Sequence, residues 1–264
     1  MRPLLIFILL SIECLALSGV FNSKERYFVD GSYTTERKLL HEKIVQKFMR
    51  VERFAAWERP TFILAIGGPA SGKSTTIAQL EEAGIINLES FVRADADAIK
   101  EELPEYKIFQ SESVKLAETA VHAESVDIRL QILKQASSAK RSIFLDTAAT
   151  KEKPTGQMFA SLYNVFLEYN FILLHLEATA DVMVARAHQR VESNKRFFRK
   201  ESVLSGRQNA LVYFKQLLPL ADLAIQIETT EAPSLIVRQI NDTRNECERS
   251  FSSTLLPGLL RLIQ

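Results

Sequence analysis

The sequence predicts an α/β protein in which a parallel β-sheet is covered by helices on both faces. Short apolar runs recur along the chain, and amphipathic helical patterns separate them. The run Thr61–Ile66 is almost continuously apolar, as is typical of a strand that is buried on both faces. No internal repeat or low-complexity linker interrupts the alternation, so we interpret residues 59–250 as one domain.

A helix is predicted ahead of this domain, within an N-terminal extension of residues 19–58. Thr34 or Thr35 can serve as its N-cap, because a threonine hydroxyl accepts a hydrogen bond from a free amide of the first turn. Apolar residues then follow at three- and four-residue spacing: Leu39, Leu40, Ile44, Val45, Phe48 and Met49. We interpret this segment as an accessory helix that precedes the core.

The remaining elements alternate along the domain. Strands are predicted at Thr61–Ile66, Ser90–Arg93, Ser142–Asp146, Asn170–Leu176 and Asp222–Ile227. Helices are predicted from the glycine-rich turn to about Glu82, and at Ser113–Ala136, Gly156–Leu167, Glu201–Leu218 and Pro233–Arg249. The tail, residues 251–264, is expected to pack as a last apolar turn.

Composition argues against two classes of protein. The 264 residues contain 33 Lys+Arg and 32 Asp+Glu, so the formal charge is +1, and a protein that works mainly by binding nucleic acid needs a basic face. The two cysteines, Cys14 and Cys247, cannot form a disulfide framework, and no zinc-binding pattern of Cys and His is present. We therefore expect no structural metal site and no nucleic acid partner.

The N-terminus resembles a secretory signal peptide, which predicts that residues 1–18 are cleaved and that the protein is exported. Arg2 precedes the apolar run of residues 4–10, and Ala16 and Ser18 place small residues before a cleavage site. Glu13 argues against a signal peptide, because a carboxylate within the apolar region is costly inside a membrane. A cytoplasmic protein and a retained membrane anchor are the alternatives; after cleavage no stable membrane span is expected.

The strongest chemical signal follows the first core strand. The segment Gly67–Ser74 fits the pattern G-x-x-x-x-G-K-[ST] of a phosphate-binding P-loop. Its glycines allow the backbone to fold around an anion, Lys73 reaches the phosphates, and the Ser74 hydroxyl is placed to ligate Mg²⁺. The predicted nucleotide-binding residues are Gly67, Gly68, Pro69, Ala70, Ser71, Gly72, Lys73, Ser74 and Thr75.

Two acids follow the second predicted strand. Asp95 and Asp97 lie where that strand should end, and ligands of open α/β sheets bind beyond the carboxyl ends of the strands. A carboxylate there can accept the proton of an attacking hydroxyl during phosphoryl transfer. The alternative is that one or both acids cap the next helix.

Together these motifs resemble the zeta toxin family of P-loop kinases. The resemblance rests on the P-loop, on Asp95-x-Asp97-x-Ile99-Lys100 with Leu103-Pro104-x-Tyr106, and on Val121-His122-Ala123-Glu124-Ser125, and it covers roughly residues 30–230. It implies a P-loop NTPase fold and a kinase that uses ATP and Mg²⁺ to phosphorylate the 3′-hydroxyl of the amino sugar in UDP-N-acetylglucosamine. It also implies that Asp97 is the catalytic base.

Further site residues follow from the same resemblance. Asp95, Glu124, Asp146 and Thr147 are expected to contact the substrate. The family places a spacer between the acid and the threonine, whereas here Thr147 directly follows Asp146 and Ala148 takes the threonine's place. This departure from the family pattern concerns the threonine's contact with the substrate, and with it the identity of the sugar nucleotide. Asp146 could instead organise Mg²⁺ through water, or be a turn residue at the strand end.

A basic segment comes next, from Arg186 to Arg199. Permanently charged guanidinium groups can neutralise the negative charge that spreads over a phosphoryl group in transfer. Arg186 and Arg196 match the family's two phosphate-contacting arginines, and Arg190 competes with Arg186 for that role. The alternatives are a solvated basic helix face or an RNA contact.

Two classes of function remain open from the sequence. The first is an enzyme, a small-molecule kinase whose acceptor is a sugar nucleotide or another hydroxylated compound: a nucleoside, an antibiotic or a polynucleotide 5′-end. The second is a regulatory module that binds a nucleotide and transfers nothing. If exported, the kinase would act as an effector in a foreign cytoplasm. If retained, an antitoxin protein is the expected partner.

Overall fold

The structure is a computed structural model that describes residues 21–51, 59–148, 168–194, 200–230 and 236–242. The chain forms two compact units. Unit 1 contains Met1–Met49 and Asp95–Ile132, and unit 2 contains Arg50–Ala94 and Leu133–Gln264. The predicted signal peptide, the helix Gly156–Leu167 and the tail lie outside the described residues, and the domain boundaries stay predictions.

Unit 2 is built around a sheet. Its strands are β3 (Thr61–Ile66), β4 (Val92–Arg93), β5 (Ile143–Thr147), β6 (Asn170–Glu177), β7 (Leu223–Glu228) and β8 (Ile236–Asp242). Its helices include α3 (Lys73–Glu82), α7 (Ala180–Asn194) and α8 (Lys200–Leu217), with short 3₁₀ turns at Leu88–Ser90 and Leu218–Leu220. The α/β architecture predicted from the alternating pattern is confirmed.

The strand order places β3 in the interior of the sheet. The order is β4-β5-β3-β6-β7-β8, and the strands from β4 to β7 run parallel. Every residue of β3 is buried, because helices or loops cover both faces of a parallel sheet. The loop after β3 therefore starts from a fixed position at the carboxyl edge of the sheet.

The predicted helix Pro233–Arg249 is wrong over its described residues. Ile236–Asp242 is a strand that pairs antiparallel with β7, with a register irregularity at Ala224/Ile225. The β-branched residues Ile236, Val237 and Ile240 favour an extended backbone, and an open edge of β7 offers hydrogen-bond partners. The other residues of that predicted helix lie outside the described part of the chain.

Unit 1 is mainly helical. It contains α1 (Ser23–Tyr27), the hairpin strands β1 (Phe28–Val29) and β2 (Ser32–Tyr33), α2 (Thr35–Phe48), α4 (Ala96–Glu102) and α5 (Pro104–Gln110). Residues 114–132 of α6 (Val114–Ser138) also belong to it. The Thr34 hydroxyl accepts from the Arg37 amide at 3.4 Å, which confirms the predicted cap of the accessory helix α2.

None of the helices in the described ranges combines the length and the apolar character that crossing a membrane requires.

Candidate functional site

The P-loop connects β3 to α3 in unit 2. Gly72 and Ala70 have positive φ angles of 85° and 61°, so the loop bends through backbone conformations that L residues rarely adopt. The loop is tied to the sheet by the Gly67 amide, which donates to the Thr147 carbonyl at 3.3 Å. No side chain caps the first turn of α3, so its amides are available for an anion.

Lys73 is the first residue of α3, and its side chain folds back over the loop. Nζ donates to the carbonyls of Gly67 at 2.8 Å and Gly68 at 3.2 Å. Burial lowers the pKa of Lys73, while the nearby Asp146 carboxylate raises it and Arg190 lowers it. The ammonium is thus held at the loop by these two carbonyls, and it is subject to the charges of an acid and of a second cation.

Asp146 and Thr147 end β5, the strand beside β3. The register pairs Ala65 with Asp146 and Ile66 with Thr147, so both half-buried residues stand next to the start of the P-loop. The charge of the Asp146 carboxylate raises the pKa of Lys73, which links this strand end electrostatically to the cation of the loop. Its predicted contacts with substrate or Mg²⁺ remain predictions.

Arg186 lies on α7 and is anchored to the end of β7. Its Nη1 donates to Thr229 Oγ1 at 3.1 Å and its Nη2 donates to the Thr229 carbonyl at 2.5 Å. Burial and the adjacent Arg190 both lower the pKa of Arg186. Arg190 therefore influences both Arg186 and Lys73, and cations that are held near one another favour the binding of an anion. Arg196 lies outside the described residues.

The helix α8 lies where the sequence predicted a helix, at Glu201–Leu218, but sequence reasoning missed its contact with the P-loop. A Cβ on Gly68 would lie 2.7 Å from the backbone nitrogen of Arg207 in α8, and a Cβ on Gly206 would lie 2.5 Å from Pro69 Cδ. Two glycines therefore allow the backbones of α8 and the loop to approach closely. A glycine inside a helical pattern was the signal that could have pointed to this contact.

Thr229, which follows β7, was also missed. It is 2% exposed, and its hydroxyl lies 2.9 Å from the Ser71 carbonyl in the P-loop. Its amide donates to the Glu177 carbonyl at 2.8 Å, which extends the β6–β7 pairing by one residue. Only the strand-end position of this threonine could have been inferred from the sequence.

Asp95 and Asp97 belong to unit 1. Asp95 caps α4, since its carboxylate accepts from the Asp97 amide at 2.9 Å, and so the capping alternative holds for Asp95. The Asp97 side chain is 49% exposed, and its Oδ1 accepts from Lys100 Nζ at 2.8 Å. Asp97 therefore keeps a solvent-accessible carboxylate with a cation beside it.

Glu124 lies in a buried ion cluster of unit 1. Its carboxylate is 0% exposed and accepts from Arg37 Nε at 2.5 Å and Nη2 at 2.8 Å, with His41 Nε2 at 2.6 Å. Arg37 also makes two hydrogen bonds to Glu105. Burial alone would raise the pKa of Glu124, but hydrogen bonds from Arg37 and His41 outweigh it and bring the pKa to about 2.

The described residues predicted for phosphate binding thus lie in unit 2, where Asp146 and Arg190 act electrostatically on Lys73, and Arg190 acts on Arg186. Within the described ranges, no group of three or more His, Cys, Asp or Glu side chains could hold a metal ion. Ser74, in the first turn of α3, is exposed. Its hydroxyl suits a Mg²⁺ ion that arrives with the nucleotide and keeps water ligands.

The parallel sheet and the P-loop between β3 and α3 define a protein with the P-loop kinase fold. The zeta toxin family model matches residues 46–219. The chain belongs to the zeta toxin family.

Solved structures with the same fold extend over most of the chain. The PezAT chromosomal toxin-antitoxin system of the human pathogen Streptococcus pneumoniae matches with a TM-score of 0.59 and 14% identity, covering 87% of this chain and 95% of that chain. The native AvrRxo1-ORF1:-ORF2 complex matches with a TM-score of 0.57 and 17% identity, covering 82% and 76%.

The AvrRxo1-ORF1:-ORF2 structure with ATP matches with a TM-score of 0.58 and 14% identity, covering 92% of this chain and 82% of that chain. At these identities the likeness concerns the fold. A search for sequence relatives among curated proteins found no match.

Proposed function

We propose that this protein is an ATP- and Mg²⁺-dependent kinase that phosphorylates a hydroxyl of a sugar nucleotide such as UDP-N-acetylglucosamine. The observation that carries the proposal is the cationic P-loop of unit 2. Its α3 N-terminus has no side-chain cap, and Lys73 and two arginines provide charge around it. Membership of the zeta toxin family and the ATP in one structure of the same fold support the choice of nucleotide.

The loop amides and Lys73 bind the phosphates in this proposal. Lys73 exchanges its hydrogen bonds to the loop carbonyls for bonds to phosphate oxygens. Ser74 and Asp146 are the residues that would hold Mg²⁺, directly or through water. When bound, Mg²⁺ supplies positive charge that offsets the charge on the phosphates.

Asp97 acts as the general base. It accepts the proton of the acceptor hydroxyl while the acceptor oxygen forms a bond to the γ-phosphorus and the bond to the ADP oxygen breaks. The carboxylate forms an ion pair with Lys100 at 2.8 Å. Arg186 and Arg196 stabilise the charge that spreads over the phosphoryl oxygens.

The sugar nucleotide is proposed from the family resemblance, together with Asp95, Asp146 and Thr147 as acceptor contacts. Glu124 is the weakest member of that predicted set, because Arg37 and His41 occupy its buried carboxylate. Thr147 stands one position earlier than the family's threonine, and Ala148 takes that threonine's place. For this reason the alternative acceptors are a nucleoside, an antibiotic or a polynucleotide end. These acceptors differ in size and charge, so product analysis separates them.

A protein antitoxin is the proposed partner, in keeping with the toxin-antitoxin system named for one structural neighbour. The antitoxin belongs to the case in which the protein is retained. The other case, export through the predicted signal peptide, is the proposal for localisation, and an exported kinase would act in a foreign cytoplasm. N-terminal sequencing of the protein recovered outside the producing cell tests it, with a start at Gly19 expected. An intact N-terminus on protein confined to the cytoplasm would contradict export.

The test of function incubates the full chain with ATP, Mg²⁺ and UDP-N-acetylglucosamine, followed by mass spectrometry of the sugar nucleotide. We expect a product heavier by one phosphoryl group. Asp97→Asn should abolish the product and spare ATP binding, whereas Glu101→Gln, at an exposed position of the same helix, should change neither. No product with any hydroxylated acceptor, despite bound ATP, would favour the non-catalytic nucleotide-binding module.

A further inference from the structure

Thr229 makes contacts that join the P-loop to Arg186. Its hydroxyl lies 2.9 Å from the Ser71 carbonyl and 3.2 Å from the Glu177 carbonyl, and it donates its one proton to the nearer of them, that of Ser71. The same hydroxyl accepts from Arg186 Nη1 at 3.1 Å, and the Thr229 carbonyl accepts from Arg186 Nη2 at 2.5 Å. A hydroxyl has one proton and two lone pairs, so it can donate to the loop and accept from the guanidinium at the same time.

The surroundings of Thr229 fix this arrangement. The residue is 2% exposed and its amide continues the β6–β7 pairing through Glu177. A Cβ on Gly72 would lie 3.0 Å from Thr229 Oγ1, so the threonine packs directly against the glycine that opens α3. Buried hydrogen bonds to a charged group are stronger than neutral ones and impose a geometry on it.

We propose that Thr229 is a positioning residue that holds the Arg186 guanidinium at the P-loop. The bidentate contact restricts the rotamers of a long side chain that would otherwise be free to move, and the contact to Ser71 ties that orientation to the phosphate-binding backbone. The inference rests on the proposed function, because it assumes that Arg186 acts on a phosphate bound to this loop.

The test is a double-mutant cycle with Thr229→Val and Arg186→Ala. Valine keeps the size and β-branching of threonine and removes only the hydroxyl. Calorimetry with ATP and no acceptor gives the binding constants of the four proteins. We expect Thr229→Val to weaken ATP binding about fivefold when Arg186 is present and to have no further effect in the Arg186→Ala background.

Turnover provides the second measurement. We expect Thr229→Val to lower kcat about tenfold with a smaller change in the KM of the acceptor, because misorienting Arg186 affects the transferred group more than acceptor binding. Thr229→Ser keeps the hydroxyl and should retain most of the activity, whereas Thr229→Ala should lose it. If Thr229→Val folds poorly, the comparison of Thr229→Ser with Thr229→Ala still tests the role of the hydroxyl, because both variants lack the methyl group of threonine and differ only in the hydroxyl.

The outcomes separate the two proposals. Equal losses in Thr229→Ser and Thr229→Ala would overturn the positioning role, as would an undiminished effect of Thr229→Val in the Arg186→Ala background. If the wild type binds ATP and the Thr229→Val variant binds it with the same affinity, the positioning role is overturned and the proposed function stays intact. Failure of the wild-type chain to bind ATP would overturn both.

Discussion

His175 lies inside β6, where it is 1% exposed and its ring stacks on Phe214 with centroids 4.8 Å apart. Burial lowers its pKa to about 4, with Glu177 opposing the shift and Arg207 adding to it. The unfolded chain takes up this proton near pH 6.5, whereas the folded chain takes it up only near pH 4. The fold therefore favours the neutral ring over the imidazolium.

The stability of the protein should fall as the pH drops from 6.5 towards 4. His175 contributes up to about 3 kcal/mol to this loss, because the unfolded state binds a proton that the folded state excludes. In urea unfolding across this range, His175→Gln should flatten the pH dependence, and His188→Gln, at an exposed position, should not. Equal pH dependence in wild type and His175→Gln would contradict this assignment.

Arg37 forms ion pairs with two buried carboxylates in unit 1, those of Glu105 and Glu124. Arg37→Met should lower the free energy of unfolding by about 3 to 5 kcal/mol, because two carboxylates would remain buried without their cation. Lys47→Met is the matched control on the same helix, since its ion pair with Glu102 is 60% exposed on the lysine side. Similar losses in both variants by urea unfolding would contradict the argument.

The site residues differ in how much of their role could be predicted from the sequence. The P-loop is a contiguous pattern whose chemistry depends on local backbone, so its residues could be predicted. The carboxylate of Glu124 could be located on a helix, but its pairing with Arg37 joins residues far apart in the chain and depends on tertiary packing. The role of Thr229 could not be predicted for the same reason, because its contacts with Ser71 and Arg186 also join residues that are far apart in the chain.

At the scale of elements, most of the sheet could be predicted from the short length of the apolar runs and from the helical patterns that separate them. The strands β3 to β7 lie where the apolar runs predicted them, although β4 is only Val92–Arg93 after a 3₁₀ turn. β8 lies within the segment Pro233–Arg249, which was predicted as a helix. Pairing with the exposed edge of β7 decided the conformation, and that pairing is not a local property.

The contact of α8 with the P-loop gives an element-scale prediction. Alanine inside a helix normally stabilises it by about 1 kcal/mol relative to glycine. Gly206→Ala should nevertheless lower both the melting temperature and the ATP affinity, because the new Cβ would collide with Pro69 Cδ. Thermal unfolding and calorimetry measure the two effects.

Ser205→Ala is the control for this substitution, at an exposed neighbouring position of α8. It should leave ATP affinity unchanged. A Gly206→Ala protein that is more stable than the wild type and binds ATP equally well would show that the close packing of α8 on the loop has no consequence.

At the scale of the whole molecule, the predicted site residues are divided between the two units. Unit 2 carries the P-loop, Asp146, Thr147 and Arg186, and unit 1 carries Asp95, Asp97 and Glu124. The α/β class could be predicted because a parallel sheet imposes a repeating pattern on the chain. The division into units could not, since it depends on contacts between segments that are distant in the sequence.

The central claim is that this zeta toxin family protein transfers a phosphoryl group to a small acceptor. The most direct measurement is the rate of ADP formation by the full chain with ATP and Mg²⁺, with and without UDP-N-acetylglucosamine. We predict ADP formation that depends on the acceptor, disappears in Asp97→Asn and persists in Glu101→Gln. ADP formation at the same rate without any acceptor, or an Asp97→Asn variant as active as the wild type, would contradict the account.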